Sequence, residues 1–379
     1  MTLLGIHLTL LMGKQVPLPA PPPIMNALSS VEVAHKDDAR SAFQMVFTLD
    51  RSANNFLEYA LLAMPQFRIG TRVILMVTIG PRPHVLMDGI ITNQQLAPGS
   101  GGDPTHLTLT GEDVSVMMDK DEVRTEHPAQ PDNIIATKLI LKYARYGMLP
   151  LVLPPRFFDV PIPTERTPQQ DGKTDYAYLT ELAARHDFVF YVTPGPAPGT
   201  NTAYWGPPVR VGLPQKALTV DMGPETNVSS INFQNDALSP ATFSGSVQDR
   251  ETNRSMPVQT FASLRFPLAL QNMLTQSDFV RKRILQASGA ESFAQAQARA
   301  QAETDSAADA VTAEGELNAT TYGDLLQARG LVGLRGAGFS YDGLYYVKQV
   351  THKISSGNYT QSFTLTREGL GSTVPVVRT

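Results

Sequence analysis

Apolar residues recur at every second position near the start of the chain. Ile6, Leu8, Leu10 and Met12 fall on one side of IHLTLLM, which predicts a strand. The stretch has no basic leader and is broken by His7, Thr9 and Gly13, so it reads as a strand and not as a targeting signal. VPLPAPPP, residues 16 to 23, is a stiff segment expected to stay out of any sheet ladder. Residues 29 to 51, SSVEVAHKDDARSAFQMVFTLDR, alternate on both sides of a charged turn and predict a hairpin or two sequential strands. FLEYALLAM (56 to 64) has the form of a short helix closed by Pro65. Further strands are predicted over 72 to 79, 85 to 96 and, after the turn APGSGGDP, 106 to 118.

The period then changes. In DNIIATKLILKYARY (132 to 146), Ile134, Ile135, Leu139, Leu141 and Tyr143 take mostly helical spacing, with Asp132 as N-cap and Gly147 as stop. A proline-rich connector, LPLVLPPRFFDVPIP, follows. TDYAYLTELAARH (174 to 186) is an amphipathic helix capped by Thr174 or Asp175 that leads into the strand FVFYV. These residues form a small α+β insert between two β-rich halves.

The second half reads as a diverged copy of the first. Ser30 to Phe43 spans thirteen positions, as does Ser230 to Phe243, and Asp50-Arg51 matches Asp249-Arg250 with one residue of slip. Gly70, Val73 and the strand to Gly80 resemble Gly330, Val332 and the strand to Gly336. Each is followed by an Asp-Gly pair read as a turn, Asp88-Gly89 and Asp342-Gly343. Each pair leads into a strand (IITNQQL, LYYVKQV), a glycine-containing turn, and then Leu107–Thr110 or Phe363–Thr366. The second copy carries the longer interruption, including FVRKRILQASGAESFAQAQARAQAETDSAADAV. Alternating alanines from Ala294 to Ala302 make that segment a strong helix former with a thin apolar face.

Composition narrows the functional classes. Hydrophobic content of 42% with 17% charged residues is that of a globular chain, and a net charge of -4 offers no basic surface for nucleic acid. No window reaches the roughly 18 apolar residues of a membrane helix. The absence of cysteine removes disulfides and thiolate chemistry, and fits assembly in the cytoplasm. The seven histidines form no HExxH or other ligand spacing, so no metal or cofactor is expected. There is no GxSxG or SxxK. Acidic GEDVSVMMDKDEV (111 to 123) reads as a solvated turn opening a linker, and GLRGAG (333 to 338) matches no nucleotide loop. Tyr341, Tyr345 and Tyr346 have the spacing of a barrel wall or interface, His352 that of a strand face, and Trp205 in AYWGPP that of a loop anchor.

The stretch YDGLYYVKQVTHKISSGNYTQSFTLTREGLGS (341 to 372) resembles the C-terminal part of phage tail hub proteins. These are the late control protein D family of P2-like phages and related hubs of contractile injection systems. The features that carry it are Asp342, Gly343, Tyr345, Tyr346, Val347, His352, Gly357, Asn358, Tyr359 and the closing Phe363–Thr366. VPLPAPPPIMNALSSVEVAHKDDARSAFQMVFTLDR resembles that family's opening, and DYAYLTELAARHDFVFYV is similar to part of VgrG-like spike proteins. The resemblance implies a mainly β fold of two similar β-barrel domains plus a small α/β domain and an Ala-rich helix. The expected bounds are 1–120, 121–220 and 221–379, with the helical insert about 257–310. It further implies a homotrimer whose six barrels adapt a three-fold spike to a six-fold inner tube or tube-initiator ring. Partners would be a separate spike protein, since the chain ends at Thr379 just past the second barrel, and baseplate wedge proteins. Asp88, Gly89, Asp342, Gly343, Tyr345, Tyr346, His352 and Tyr359 are the structural motif, with no catalytic role. Two rival readings are a tail-tip peptidoglycan hydrolase, which needs an essential carboxylate pair, and a glycan-binding receptor module, which needs an exposed aromatic platform.

Overall fold

The computed structural model describes residues 2–3, 6–14, 16–49, 62, 64–99, 104–156, 167–249, 252–286 and 292–373. The helix expected over 56–64 lies largely outside them. The fold is mainly β, 49% strand and 19% helix.

The first module comprises β1 (Thr2–Leu3), β2 (Ile6–Gly13), β3 (Leu18–Pro19), β4 (Leu28–Lys36), β5 (Ala42–Leu49), β6 (Arg72–Ile79), β7 (Arg82–Ala97) and β8 (Thr105–Asp113). Ile6, Leu8, Leu10 and Met12 are all buried, as their alternation predicts. The proline-rich segment departs from expectation. Leu18 and Pro19 pair with β2, and the Ala20 amide donates to the Leu10 carbonyl at 2.8 Å. Pro19 stands opposite Leu11 at a position that the antiparallel ladder leaves without hydrogen bonds, so its missing N–H is not needed, and Pro22 opens the helix Pro22–Ala27, where its missing N–H costs nothing.

The insert holds β9 (Glu122–Glu126), β10 (Met148–Val152), β11 (Gln169–Thr174), β12 (Val189–Pro194) and β13 (Asn201–Gly206). Two helices, Asp132–Leu141 and Asp175–Ala184, cover β10, β12 and β13 with a core of their own. Thr174 caps the second through a bond from the Ala177 amide. Asp132 is the first residue of the other helix and not its cap; its carboxylate meets His186 at 2.9 Å. Trp205 is no loop anchor. It sits near the end of β13, the middle strand of its three-stranded sheet, fully buried, its indole N–H donating to the Leu179 carbonyl at 3.3 Å.

The second module contains β14 (Gln215–Thr219), β15 (Val228–Asn235), β20 (Val311–Asn318), β21 (Leu331–Arg335), β22 (Gly343–Ser355) and β23 (Asn358–Arg367). Between β15 and β20 lies a side lobe of β16 (Ala241–Gln248), β17 (Ser255–Gln259) and β19 (Arg281–Ile284), packed on the helix Phe293–Ser306. β18 (Ala269–Asn272) pairs with β24 (Gly369–Ser372). Within the span 257–310, helix covers Phe293–Ser306 and Met273–Gln276, while Arg-Lys-Arg-Ile is strand. The span 121–220 ends on β14, which pairs with β21 of the second module.

The two modules share one sheet of fourteen strands. Its order is β2-β6-β7-β8-β5-β4 and then β22-β23-β20-β15, with β21 flanking β22. The strand orders β6-β7-β8-β5-β4 and β21-β22-β23-β20-β15 are therefore the same. β16, equated with β5 on sequence, lies in the side lobe, and β20 takes its place in the sheet. Two β-bulges fix the residue equivalence. One falls between Leu28 and Ser30 and again between Val228 and Ser230; the other falls between Ile91 and Asn93 and again between Val347 and Gln349. Ser30 thus corresponds to Ser230, Val33 to Phe233, Asn93 to Gln349 and Leu96 to His352.

Candidate assembly site at the joint between the modules

The modules meet where β4 pairs antiparallel with the C-terminal half of β22, from Lys36 opposite Gln349 to Ser30 opposite Ser355. The N-terminal half of β22 pairs with β21 instead. β22 is long enough to serve both because it continues past the end of β21.

Arg329 pins this joint. Its backbone φ is +69°, while its amide donates to the Val347 carbonyl at 2.7 Å. Its guanidinium donates to the Lys36 carbonyl at 2.6 and 2.9 Å, to Ser41 Oγ at 3.0 Å and to the Val192 carbonyl at 3.1 Å. It also stacks 4.0 Å over the Tyr191 ring. One side chain therefore ties the second module to the first module and to the insert. Burial lowers its pKa, partly offset by Asp113. The Asp113 carboxylate accepts from the amides of Ser41 at 2.7 Å and Ser115 at 2.9 Å, and burial raises its pKa despite those bonds. The acidic stretch read as a solvated turn is thus an internal cap, because a carboxylate ending a strand can satisfy the orphan amides of the turn beyond it.

His35 and His352 face each other across the joint, edge to face, with ring centroids 5.6 Å apart. His352 Nδ1 lies 2.8 Å from the Tyr359 hydroxyl and 3.3 Å from Gln361 Nε2. Burial pushes the His352 pKa down to about 3. It also holds His35 well below its usual value, helped by the charges of His352 and Arg329.

The predicted motif residues separate into three groups. His352 and Tyr359 come together here, with Tyr359 in the core of the first module. Asp342, Gly343 and Tyr345 surround Arg367. Arg367 donates to the Asp342 carbonyl at 3.0 Å and lies 4.3 Å over the Tyr345 ring, while Tyr346 points to the other face, towards Leu268 and Leu331. Asp88 and Gly89 lie inside β7 and form no turn; the turn is at Gly80-Pro81. Asp88 is buried and takes two bonds from Arg72, at 2.7 and 2.6 Å, and one from Asn201 at 2.9 Å. Arg72 also donates to the Tyr146 carbonyl at 2.8 Å, so this cluster clamps the insert onto the first module. A side chain at Gly89 would meet the Glu112 carbonyl at 2.4 Å.

Sequence reasoning missed Arg329, Ser41, Asp113, Arg72 and the pair Arg210–Glu368, which meets at 3.2 Å with both side chains buried. Their signal lies in long-range partners and not in local spacing. Chemically the joint immobilises: its arginines and carboxylates are bound to backbone carbonyls, amides and each other. Among the described residues no three His, Cys, Asp or Glu side chains gather as a metal site requires. No described helix is long and apolar enough to cross a membrane.

No family model matches the chain, and no curated protein matches it. Solved structures do. A tail protein from Neisseria meningitidis MC58 superposes with a TM-score of 0.67 at 12% identity, covering 97% of this chain and 98% of that one. The chain has a baseplate-hub, VgrG-like fold. The 43 kDa tail protein of prophage MuSo2 from Shewanella oneidensis gives a TM-score of 0.66 at 12% identity over 96% and 98% of the two chains. A chain of the Francisella PdpA–VgrG complex gives 0.60 at 8% identity, covering all of this chain (100%) and 60% of that one.

Proposed function

We propose that this chain is the structural hub of a phage-tail-like contractile injection machine, a homotrimer that adapts a three-fold spike to a six-fold inner tube. The likeness to tail proteins supports a tail or baseplate role. The observation that carries the finer reading is a pair of open strand edges. β4 and β22 are joined within the chain, whereas their counterparts, β15 and the C-terminal half of β7, have no strand on their outer edges among the described residues. Carrying the internal register across places Leu96 opposite Phe233 of a neighbouring copy, and Gln95 opposite its Gln234, where His352 faces Val33 and Thr351 faces Ala34 within one chain. Leu96 is 40% exposed in the single chain, which such pairing would cover.

Repeating one joint within and between chains gives a ring of alternating modules, and three chains give six. Closure also removes the edges that would otherwise template aggregation. The hub makes and breaks no bond; it nucleates the baseplate, seats the first tube ring and travels at the tube tip. Its partners are further copies of itself, a spike protein, the tube or tube-initiator ring and baseplate wedge proteins, and it belongs to a tail or tail-like particle assembled in the cytoplasm. Sedimentation of the purified chain at micromolar concentration tests this. The expected mass is about 124 kDa, three times 41.2 kDa, and a strict monomer with or without the spike counts against it.

A further inference from the structure

The side lobe presents a further open edge, in a sheet separate from the fourteen-stranded one. β19 runs parallel to β16 on one side only, and among the described residues nothing pairs with its other side. Its sequence is Arg281-Lys282-Arg283-Ile284, every residue exposed. The amides of Arg281 and Leu285 donate inward, to the Pro240 and Ser244 carbonyls at 3.2 and 2.9 Å. By strand alternation, the N–H groups of Lys282 and Ile284 point to the open side. None of the three cations forms an ion pair among the described residues, in a chain whose net charge is -4. Charges alone would serve to keep an edge unpaired. This edge also carries two large exposed apolar side chains, Phe279 at 69% and Ile284 at 82%, just before and at the end of the strand. Apolar anchors at the ends of a cationic edge are what a binding edge needs, and a blunted one lacks them.

We propose that β19 receives an extended acidic segment of a separate protein, which adds as a fourth strand to the side-lobe sheet. Its carboxylates lie along Arg281 and Arg283 on one face, and its apolar residues lie against Ile284 on the other. Backbone bonds to Lys282 and Ile284 set the register. The occupant follows from the charge: an acidic strand compensates three cations that form no ion pair among the described residues. The proposal does not depend on the trimer.

The probe is a labelled twelve-residue peptide alternating glutamate and valine, titrated into the full chain and read by fluorescence anisotropy, with a lysine-valine peptide as control. The glutamate peptide is expected to bind and the lysine peptide not to. Arg281→Glu combined with Arg283→Glu should weaken binding at least tenfold. Ile284→Pro, which removes an outward N–H without touching the β16 ladder, should do the same while circular dichroism stays that of the parent. A glutamate-valine peptide N-methylated at alternate residues should also fail on the unaltered chain. Absence of binding overturns the proposal. Equal binding by the N-methylated peptide or by Ile284→Pro overturns it too, by reducing it to ion attraction. Self-association of the chain through this edge, abolished by the same variants, replaces the separate protein with a second copy.

Discussion

Arg329 and Gly70 occupy the same backbone position in the two modules. Each lies in the left-handed region, at φ +69° and +86°, and each donates its amide to the equivalent strand, to the Val347 carbonyl at 2.7 Å and the Ile91 carbonyl at 2.8 Å. Glycine takes that conformation without penalty, whereas another residue is strained by about 1–3 kcal/mol. The second module accepts an arginine because its side chain has four acceptor contacts at the joint. Arg329→Gly should therefore relieve the strain yet still destabilise the chain by about 2–4 kcal/mol, by leaving buried carbonyls unpaired. Chemical denaturation measures this, and a stabilised variant would show that the guanidinium does not hold the joint.

Arg72 and Asp88 are the corresponding lock for the insert, with both side chains nearly excluded from water. Removing one member strands a buried charge. Asp88→Ala should cost about 3–5 kcal/mol, and hydrogen exchange should rise first in β13, where Asn201 loses its carboxylate partner. Uniform exchange across the chain would contradict the clamp.

The histidine pair makes the joint sensitive to acid. Both folded-state pKa values lie below the unfolded value of 6.5, so the neutral forms stabilise the fold. That contribution is complete above about pH 6.5 and is lost as pH falls towards about 3 for His352. Asp37, raised to about 6 by burial, acts in the opposite sense, so the informative quantity is the difference between parent and variant. His352→Gln should be less stable at pH 8 by about 1 kcal/mol, for the bond to Tyr359. By pH 5 the order should reverse, since the parent forfeits up to about 2 kcal/mol there. Urea midpoints at the two pH values test this; a gap that stays constant would mean that His352 titrates alike in the folded and unfolded chains, without the depression that burial imposes.

Each module also places a glycine opposite a phenylalanine, Gly111 with Phe43 and Gly315 with Phe363. A side chain at Gly111 would come within 2.2 Å of the Ile90 carbonyl and 2.5 Å of the Phe43 ring. Gly111→Ala should lower the thermal midpoint by several degrees, corresponding to about 1–3 kcal/mol of overpacking. An unchanged midpoint would imply that the sheet twists freely at this point.

Alternation of apolar residues made the module strands legible, and the 3.6-residue period did the same for the insert helices, because both depend on which face is buried. The duplication was also legible, but not its register. Asp88-Gly89 and Asp342-Gly343 look alike as dipeptides, yet one lies mid-strand and the other opens a strand, and only the bulges reveal the offset. The equation of Phe43 with Phe243 failed for a topological reason: the side lobe interrupts the second module after β15, so a later segment fills the place of β5. Arg329, Ser41 and Asp113 were invisible because Arg329 meets Ser41 across 288 residues and Ser41 meets Asp113 across 72, distances that no local spacing records. Leu18-Pro19 was misread because a proline's lost donor matters only at a hydrogen-bonded position of the ladder, and Pro19, opposite Leu11, stands at one that is not.

In the proposed ring, the joint between β4 and β22 recurs between copies as β15 against β7. The chain has no cysteine, so Leu96→Cys and Phe233→Cys introduced together provide an unambiguous crosslink. Oxidation should produce covalent dimers and closed trimers on a non-reducing gel, with neither single variant doing so beyond a dimer. A double variant that remains a monomer while sedimenting as a trimer would contradict the register, and one that remains a monomer by both measures would contradict the hub itself.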